Sequence, residues 1–263
     1  MKKTLTIVVP VYNEQKRIAR CLTALTAWQV PKEIKLDKVL FVDDGSRDLT
    51  IGMIQRKSLD VARELKCKIE IISYTPNRGK GYAVKTGMLA SQSEYALFMD
   101  ADMSTPLDEL TKFIPFMRAG RPVIIGTRKN GHSTVKVHQP KYREALGHIF
   151  TWMSNTLLGT SVTDFTCGFK MFSREAAAQI FSTMTARGWT FDAESMYLAK
   201  KHGFEVTEKA VVWSNQDGSK VRLWKDVPMI LGEILAIRIK DMHLDLYHTK
   251  LKPALSLIRS YIY

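Results

Sequence analysis

Residues 95–106 read YALFMDADMSTP: an apolar run of the kind that forms a buried strand, then two carboxylates, Asp100 and Asp102, with only Ala101 between them. Ionised carboxylates this close repel, and the energy is recovered only when a cation sits between them or water screens them. Similar runs recur upstream and downstream: TLTIVV (4–9), KVLFVD (38–43), KIEIIS (68–73) and PVIIGT (122–127). Segments of helical periodicity separate them; in the first, Ile18, Cys21, Leu22, Leu25 and Trp28 share one face, and Asn13 is the expected cap. Strands that alternate with helices and are apolar on both faces predict an α/β fold with a mostly parallel central sheet covered by helices. Ligands of such sheets bind at the carboxyl ends of the strands. The polar residues after each run therefore converge on one rim: Tyr12, Asn13 and Glu14, then Asp43 and Asp44, then Asp100 and Asp102, then Arg128.

A chain of 263 residues, 45% hydrophobic, is long enough for a real core and too apolar for disorder. Cys21, Cys67 and Cys167 lie far apart with no C-x-x-C pair, so neither a disulfide framework nor a zinc site is expected, and reduced thiols suit a cytoplasmic protein. The basic, apolar start meets Pro10, Asn13 and Glu14 too soon for a signal peptide and reads as a first strand. No apolar stretch reaches the roughly 18 residues of a spanning helix. Lys and Arg outnumber Asp and Glu by 39 to 26, a formal charge of +13. Such a balance favours an anionic partner, or else is a solvated surface kept for solubility.

After about residue 130 the pattern changes. NGHSTVKVHQPK (130–141) reads as a loop, YREALGHIFTWMSNTLLG (142–159) as a helix ended by Gly159, AAAQIFSTMT (176–185) as another helix and KAVVW (209–213) as a final strand. The sequence divides into one domain over 1–225 and an amphipathic helical tail over 226–263, with Ile230, Ile234 and Ile237 on one side and Glu233 and Lys240 on another. The tail reads as a membrane-surface element, helped by Arg238, Lys240, Lys250, Lys252 and Arg259, or as a helix packed on the domain or in a homo-oligomer contact.

Four phrases in order, VPVYNE (9–14), VDDGSRD (42–48), NRGKGYAVKTG (77–87) and MDADMSTP (99–106), resemble the family 2 glycosyltransferases with the nucleotide-sugar-binding GT-A fold. Later phrases, IIGTR (124–128), TDFTCGFKMFSREAA (163–177), GWTFDAESMYLAKKHGFEV (188–206) and VVWSNQDGSK (211–220), are similar to the branch that transfers a sugar to a polyprenyl phosphate, the dolichyl-phosphate β-glucosyltransferase type foremost. The resemblance implies a single GT-A domain, a hexosyltransferase acting at the cytoplasmic face of a membrane, and UDP-glucose or GDP-mannose as donor. It also implies a divalent cation, Mg²⁺ or Mn²⁺.

The residue chemistry suits those parts. A nucleoside diphosphate leaves only when its charge is neutralised, and a hard cation on Asp100 and Asp102 does that. The alternative is that Asp100 ends a strand and Asp102 caps a helix near Pro106; Ser104 stands where the family's synthases often carry Gln. Glu14 and Asp43 or Asp44 suit hydrogen bonds to base and ribose. Pro10, Tyr12 and Ala101 line the same pocket by resemblance, and Lys80 lies in a cationic turn before a helix where an anion is expected. A phosphate acceptor is already anionic and needs no general base, only cations to bring it beside another phosphate. Arg128 and Arg143 fit that task, and Lys220 is expected to close over the diphosphate. Asp164 is placed near the reacting carbon as base or organiser, and Asp192 as an organiser behind it. A hydroxyl acceptor would need a true base at Asp164 or Asp192. A nucleic-acid-binding role has no motif to support it.

Overall fold

The computed structural model describes residues 2–129, 133–216 and 223–246. In chain order the elements are β1 (Lys3–Val11), α1 (Ile18–Ala27), β2 (Ile34–Asp43), α2 (Thr50–Leu65), β3 (Lys68–Ser73), α3 (Lys80–Ala90) and β4 (Tyr95–Met99). A 3-10 helix (Leu107–Lys112), α4 (Ile114–Arg118), β5 (Val123–Thr127), β6 (Thr134–Val137) and α5 (Lys141–Leu158) follow. The chain continues with β7 (Phe169–Ser173), α6 (Arg174–Thr183), α7 (Phe191–Lys201), β8 (Val206–Ala210), β9 (Val212–Ser214) and α8 (Leu223–Leu246).

Seven strands form one sheet in the order β3-β2-β1-β4-β7-β5-β8. All neighbours are parallel except β7, which runs antiparallel between β4 and β5 and places Lys170 opposite Phe98 and Ile125. The period of two sends alternate residues to opposite faces. Ile7, Val9, Val39 and Phe41 pack beneath α1, whereas Val8, Leu40 and Val42 pack with residues of α3, α6 and α7. Gly87 permits the second contact, because a Cβ there would meet Val8 Cγ1 at 2.3 Å.

Several local expectations change. Asn13 does not cap α1, which begins at Ile18 with no side-chain cap; instead its own φ is positive and its Oδ1 accepts the Arg47 N–H. The stretch read as a loop after residue 130 contains β6, which pairs in parallel with β9. KAVVW is two strands, not one, because the chain turns at Val211 from the main sheet to this ribbon. β7 carries no strand signature, since a lysine interrupts its apolar run. Gly159 does end α5, in the left-handed conformation. α8 begins before residue 226, and its inner residues Ile230 and Ile234 belong to the core beside α7. Among the described residues no helix is long and apolar enough to cross a membrane.

Candidate active site

The carboxyl ends of β1, β2, β4 and β5 open into one cleft of about 1140 Å³. Its first wall is made by Pro10, Tyr12 and Glu14 after β1, Asp44 after β2, Lys80 at the start of α3, and Asp100, Ala101 and Asp102 after β4. The facing wall carries Arg128 and Arg143. Asp192 lies on the same cleft, whereas Asp164 is fully buried behind Arg128. Asp43 is not on the wall: its carboxylate accepts from Ser73 Oγ at 2.6 Å and from the Ser46 N–H at 3.0 Å. Lys220 lies outside the described residues.

The first wall is organised by carboxylates that hold backbone. Asp44 accepts from the N–H groups of Arg78 (2.7 Å) and Gly79 (2.9 Å) and from Asn77 Nδ2 (2.7 Å), which fixes the turn leading into α3. Gly79 adopts φ +101° there, and a Cβ would lie 2.4 Å from the Arg187 carbonyl oxygen. The turn delivers Lys80 Nζ to Asp100 Oδ1 at 2.7 Å, over the rings of Phe98, Trp189 and Phe191. Burial alone would lower the Lys80 pKa, but Asp100 and then Asp192 raise it above its usual value. Glu14 is gripped by Arg17 through two bonds of 2.6 and 2.7 Å.

Asp100 and Asp102 fit a hard cation. Burial first, and the neighbouring charge of Asp100 second, push the Asp102 carboxyl above its ordinary range, a cost that a shared cation removes. Asp102 Oδ1 also accepts the Ser104 N–H at 2.9 Å, while no side-chain cap holds the 3-10 helix after Pro106. Gly168 makes room for the pair: a Cβ there would stand 2.0 Å from Asp100 Oδ2. Among the described residues no cluster of three or more His, Cys, Asp or Glu surrounds a metal position. The rest of a coordination shell would come from ligand oxygens and water.

The facing wall is built otherwise. Arg128 binds Asp164 through Nε (2.6 Å), Nη2 (2.8 Å) and its own N–H (3.0 Å), and Thr166 Oγ1 through Nη2 (2.7 Å). Its guanidinium stacks 4.9 Å from the Trp213 ring centre. Burial would raise the Asp164 pKa, yet the Arg128 charge more than reverses this and holds the carboxyl well below the usual range. Arg143, in the first turn of α5, reaches the cleft with no ion-pair partner among the described residues. The lining there is mixed: Leu146, Ile149, Phe150 and Met153 from α5 and Ile230 and Leu231 from α8 are apolar, whereas Lys129, His138, Glu144 and His148 are polar or charged.

A family described as Glycosyl transferase family 2 matches residues 6–181. The chain belongs to glycosyl transferase family 2. This transferase is 31% identical to the dolichyl-phosphate beta-glucosyltransferase of Dictyostelium discoideum over 90% of the chain and 74% of that protein. It is 30% identical to the Homo sapiens protein of the same name, over 90% and 76%. Among solved structures it resembles glucosyl-3-phosphoglycerate synthase of Mycobacterium tuberculosis, crystallised with Mn²⁺, UDP and glucosyl-3-phosphoglycerate. There the TM-score is 0.62, with 15% identity and coverage of 90% and 79%. Mannosyl-3-phosphoglycerate synthase of Rubrobacter xylanophilus gives 0.63, with 17% identity and coverage of 92% and 75%. At these identities the structural likeness establishes the α/β GT-A fold.

The geometry also adds residues to the transferase that its motifs did not single out. Arg17 lines the cleft near the two aspartates, and its charge is stabilised mainly by Glu14 against the effect of burial. Lys129, next to Arg128, donates to the Gly147 carbonyl at 2.8 Å and to Thr151 Oγ1 at 2.9 Å, tying β5 to α5. Lys170 is buried and paired with Asp192. Its position within GFKMFS marks it only once β7 is known to cross the middle of the sheet.

Proposed function

We propose that this transferase moves glucose from UDP-glucose to a polyprenyl phosphate at the cytoplasmic face of a membrane, with a divalent cation on Asp100 and Asp102. The observation that carries the reading is that the cleft lined by Arg128 and Arg143 is also lined by six apolar side chains from α5 and α8. Cations followed by hydrocarbon match a phosphate headed by charge and trailed by an isoprenoid chain. The names of the curated relatives point to the same acceptor and sugar.

Asp44, Tyr12 and Pro10 line the end of the cleft that takes base and ribose, and Lys80 faces the diphosphate. The cation, when bound, supplies Lewis-acid neutralisation of the departing phosphate oxygens. Arg128 and Arg143 orient the acceptor phosphate for attack. One of its oxygens bonds the anomeric carbon as the bond from that carbon to the diphosphate oxygen breaks, and the electron pair leaves on the nucleoside diphosphate. Attack opposite the leaving group inverts the centre, turning an α-linked donor into a β-linked product. No proton has to be removed, and Asp164, fully buried and held ionised well below the usual range by Arg128, is unsuited to removing one. That argues against a hydroxyl acceptor.

Tyr142, Ile149 and Trp152 on α5 and Met229, Leu235 and Ile239 on α8 are exposed apolar side chains on the two helices that line the cleft, Ile149 within the lining itself. They suit the interfacial region of a bilayer. The test is incubation with UDP-glucose, GDP-mannose and polyprenyl phosphate, with and without Mg²⁺ or Mn²⁺, followed by mass analysis of the lipid. A glucosyl phospholipid formed only with metal is the expected product; no glycosyl phospholipid from any donor would sink the proposal.

A further inference from the structure

Lys170 is out of place by composition. It sits mid-strand in β7, is 1% exposed, and faces neighbours on both β4 and β5. A buried ammonium loses its hydration, and replacing a buried ion pair by apolar side chains is often neutral or stabilising. A pair kept there for stability alone is thus poorly motivated, so its position matters.

That position lies directly behind a residue of the cleft wall. Lys170 Nζ donates to Asp192 Oδ1 in the first turn of α7, and Asp192 lies on the cleft wall. The ammonium of Lys170 is 5.7 Å from the Phe98 ring centre and 5.9 Å from that of Phe191. Lys80 Nζ lies over the same two rings at 5.4 and 5.8 Å. The two lysines share an aromatic partition, and two carboxylates alternate with them: Lys170, Asp192, Lys80, Asp100. Asp192 acts on Lys80 second only to Asp100, and its charge is already balanced by Lys170 on its Oδ1.

We infer that Lys170 is a positioning residue: by balancing the charge of Asp192 it keeps that carboxylate from capturing Lys80, and so leaves the Lys80 ammonium on the cleft side, beside Asp100. When Asp100 turns to another ligand, Lys80 is then free for a diphosphate oxygen rather than neutralised from behind. Only this last consequence rests on the reading of the cleft as a nucleotide-sugar site; the placement of Lys80 does not.

Crystal structures of the ligand-free wild-type and Lys170→Met proteins test the placement. In the variant, Lys80 Nζ is expected to leave Asp100 and hydrogen-bond Asp192. In turnover, the nucleotide-sugar KM is expected to rise at least about tenfold, with kcat changed less and the acceptor KM unchanged, a split that a general loss of packing does not give. Lys170→Arg, which keeps a cation on Asp192, should restore most of the donor KM. If Lys170→Met does not fold, Lys170→Gln, neutral but still able to hydrogen-bond, takes its place with the same displacement expected. Lys80 remaining on Asp100 in the variant overturns the inference, as does a donor KM within twofold of wild type. A wild-type protein inactive with every donor counts against the proposed function, and the position of Lys80 in the two crystals still decides the inference.

Discussion

The two ion pairs that face each other across the cleft are built in opposite ways. Lys80–Asp100 is a single contact of 2.7 Å between side chains each about a quarter exposed. Arg128–Asp164 closes a two-pronged grip, adds a backbone N–H and a threonine, stacks on Trp213 and leaves its carboxylate with no exposure. The first can exchange partners at little cost, whereas the second cannot. One wall of the cleft is thus ready to trade a protein ligand for an incoming charge. The other presents a charge whose direction is fixed before anything binds.

Substitutions that break this asymmetry should rank accordingly. Asp102→Asn removes a charge from the proposed cation position and should reduce product to background at any metal concentration, measured by lipid product per hour; metal-dependent turnover near wild type would remove the site. Asp164→Asn leaves the buried Arg128 uncompensated, which costs about 3–5 kcal/mol of stability when a buried pair is broken. Denaturant midpoints should show it. The Asp164 pKa is depressed in the fold, so this stabilisation is present above the ordinary carboxylate range of about 4 and is lost as pH falls through the depressed value. The gap between wild type and variant should therefore stay open at neutral pH and close only in strong acid.

Lys80→Met, on the exchangeable side, should spare the melting temperature but weaken UDP binding in the presence of Mn²⁺ by roughly ten- to a hundredfold, the worth of one charge-assisted bond. Calorimetry on both proteins decides it, and equal affinities would mean that Lys80 never meets the diphosphate. Ser104→Ala removes a hydroxyl that hydrogen-bonds Asp102 but keeps the backbone N–H of Ser104, which bonds the same carboxylate at 2.9 Å. Turnover should fall no more than about fivefold, since one neutral hydrogen bond is worth about 1 kcal/mol; a complete loss would show that the hydroxyl itself is a ligand.

The first wall was legible in the sequence because it is local. Each apolar run ends where a cleft residue begins, so Glu14, Asp44 and Asp100 could be aligned on one rim without coordinates, and Arg128 after the fifth run could be placed on the same rim. What pattern could not show was pairing across the chain. β7 gains its place only by inserting between β4 and β5, so Lys170 looked like a polar interruption. The choice between Asp43 and Asp44 turned on which carboxylate Ser73 claims, a contact 30 residues away. Asn13, a good cap by type, was drawn instead to the loop after β2 by Arg47 and Ser46. The apolar lining is likewise shared by two helices that are far apart in sequence.

The carboxylate of Asp44 bonds three successive residues of the turn before α3, and that turn rests against the carbonyl of Arg187 at Gly79. These contacts tie the turn before α3 both to β2 and to the segment that leads into α7. If the cleft has to widen to admit a nucleotide and release a lipid, the yielding part is the opposite side. Product release and its rate would then be governed by how α5 and α8 part, with the wall at β1, β2 and β4 serving as the anvil.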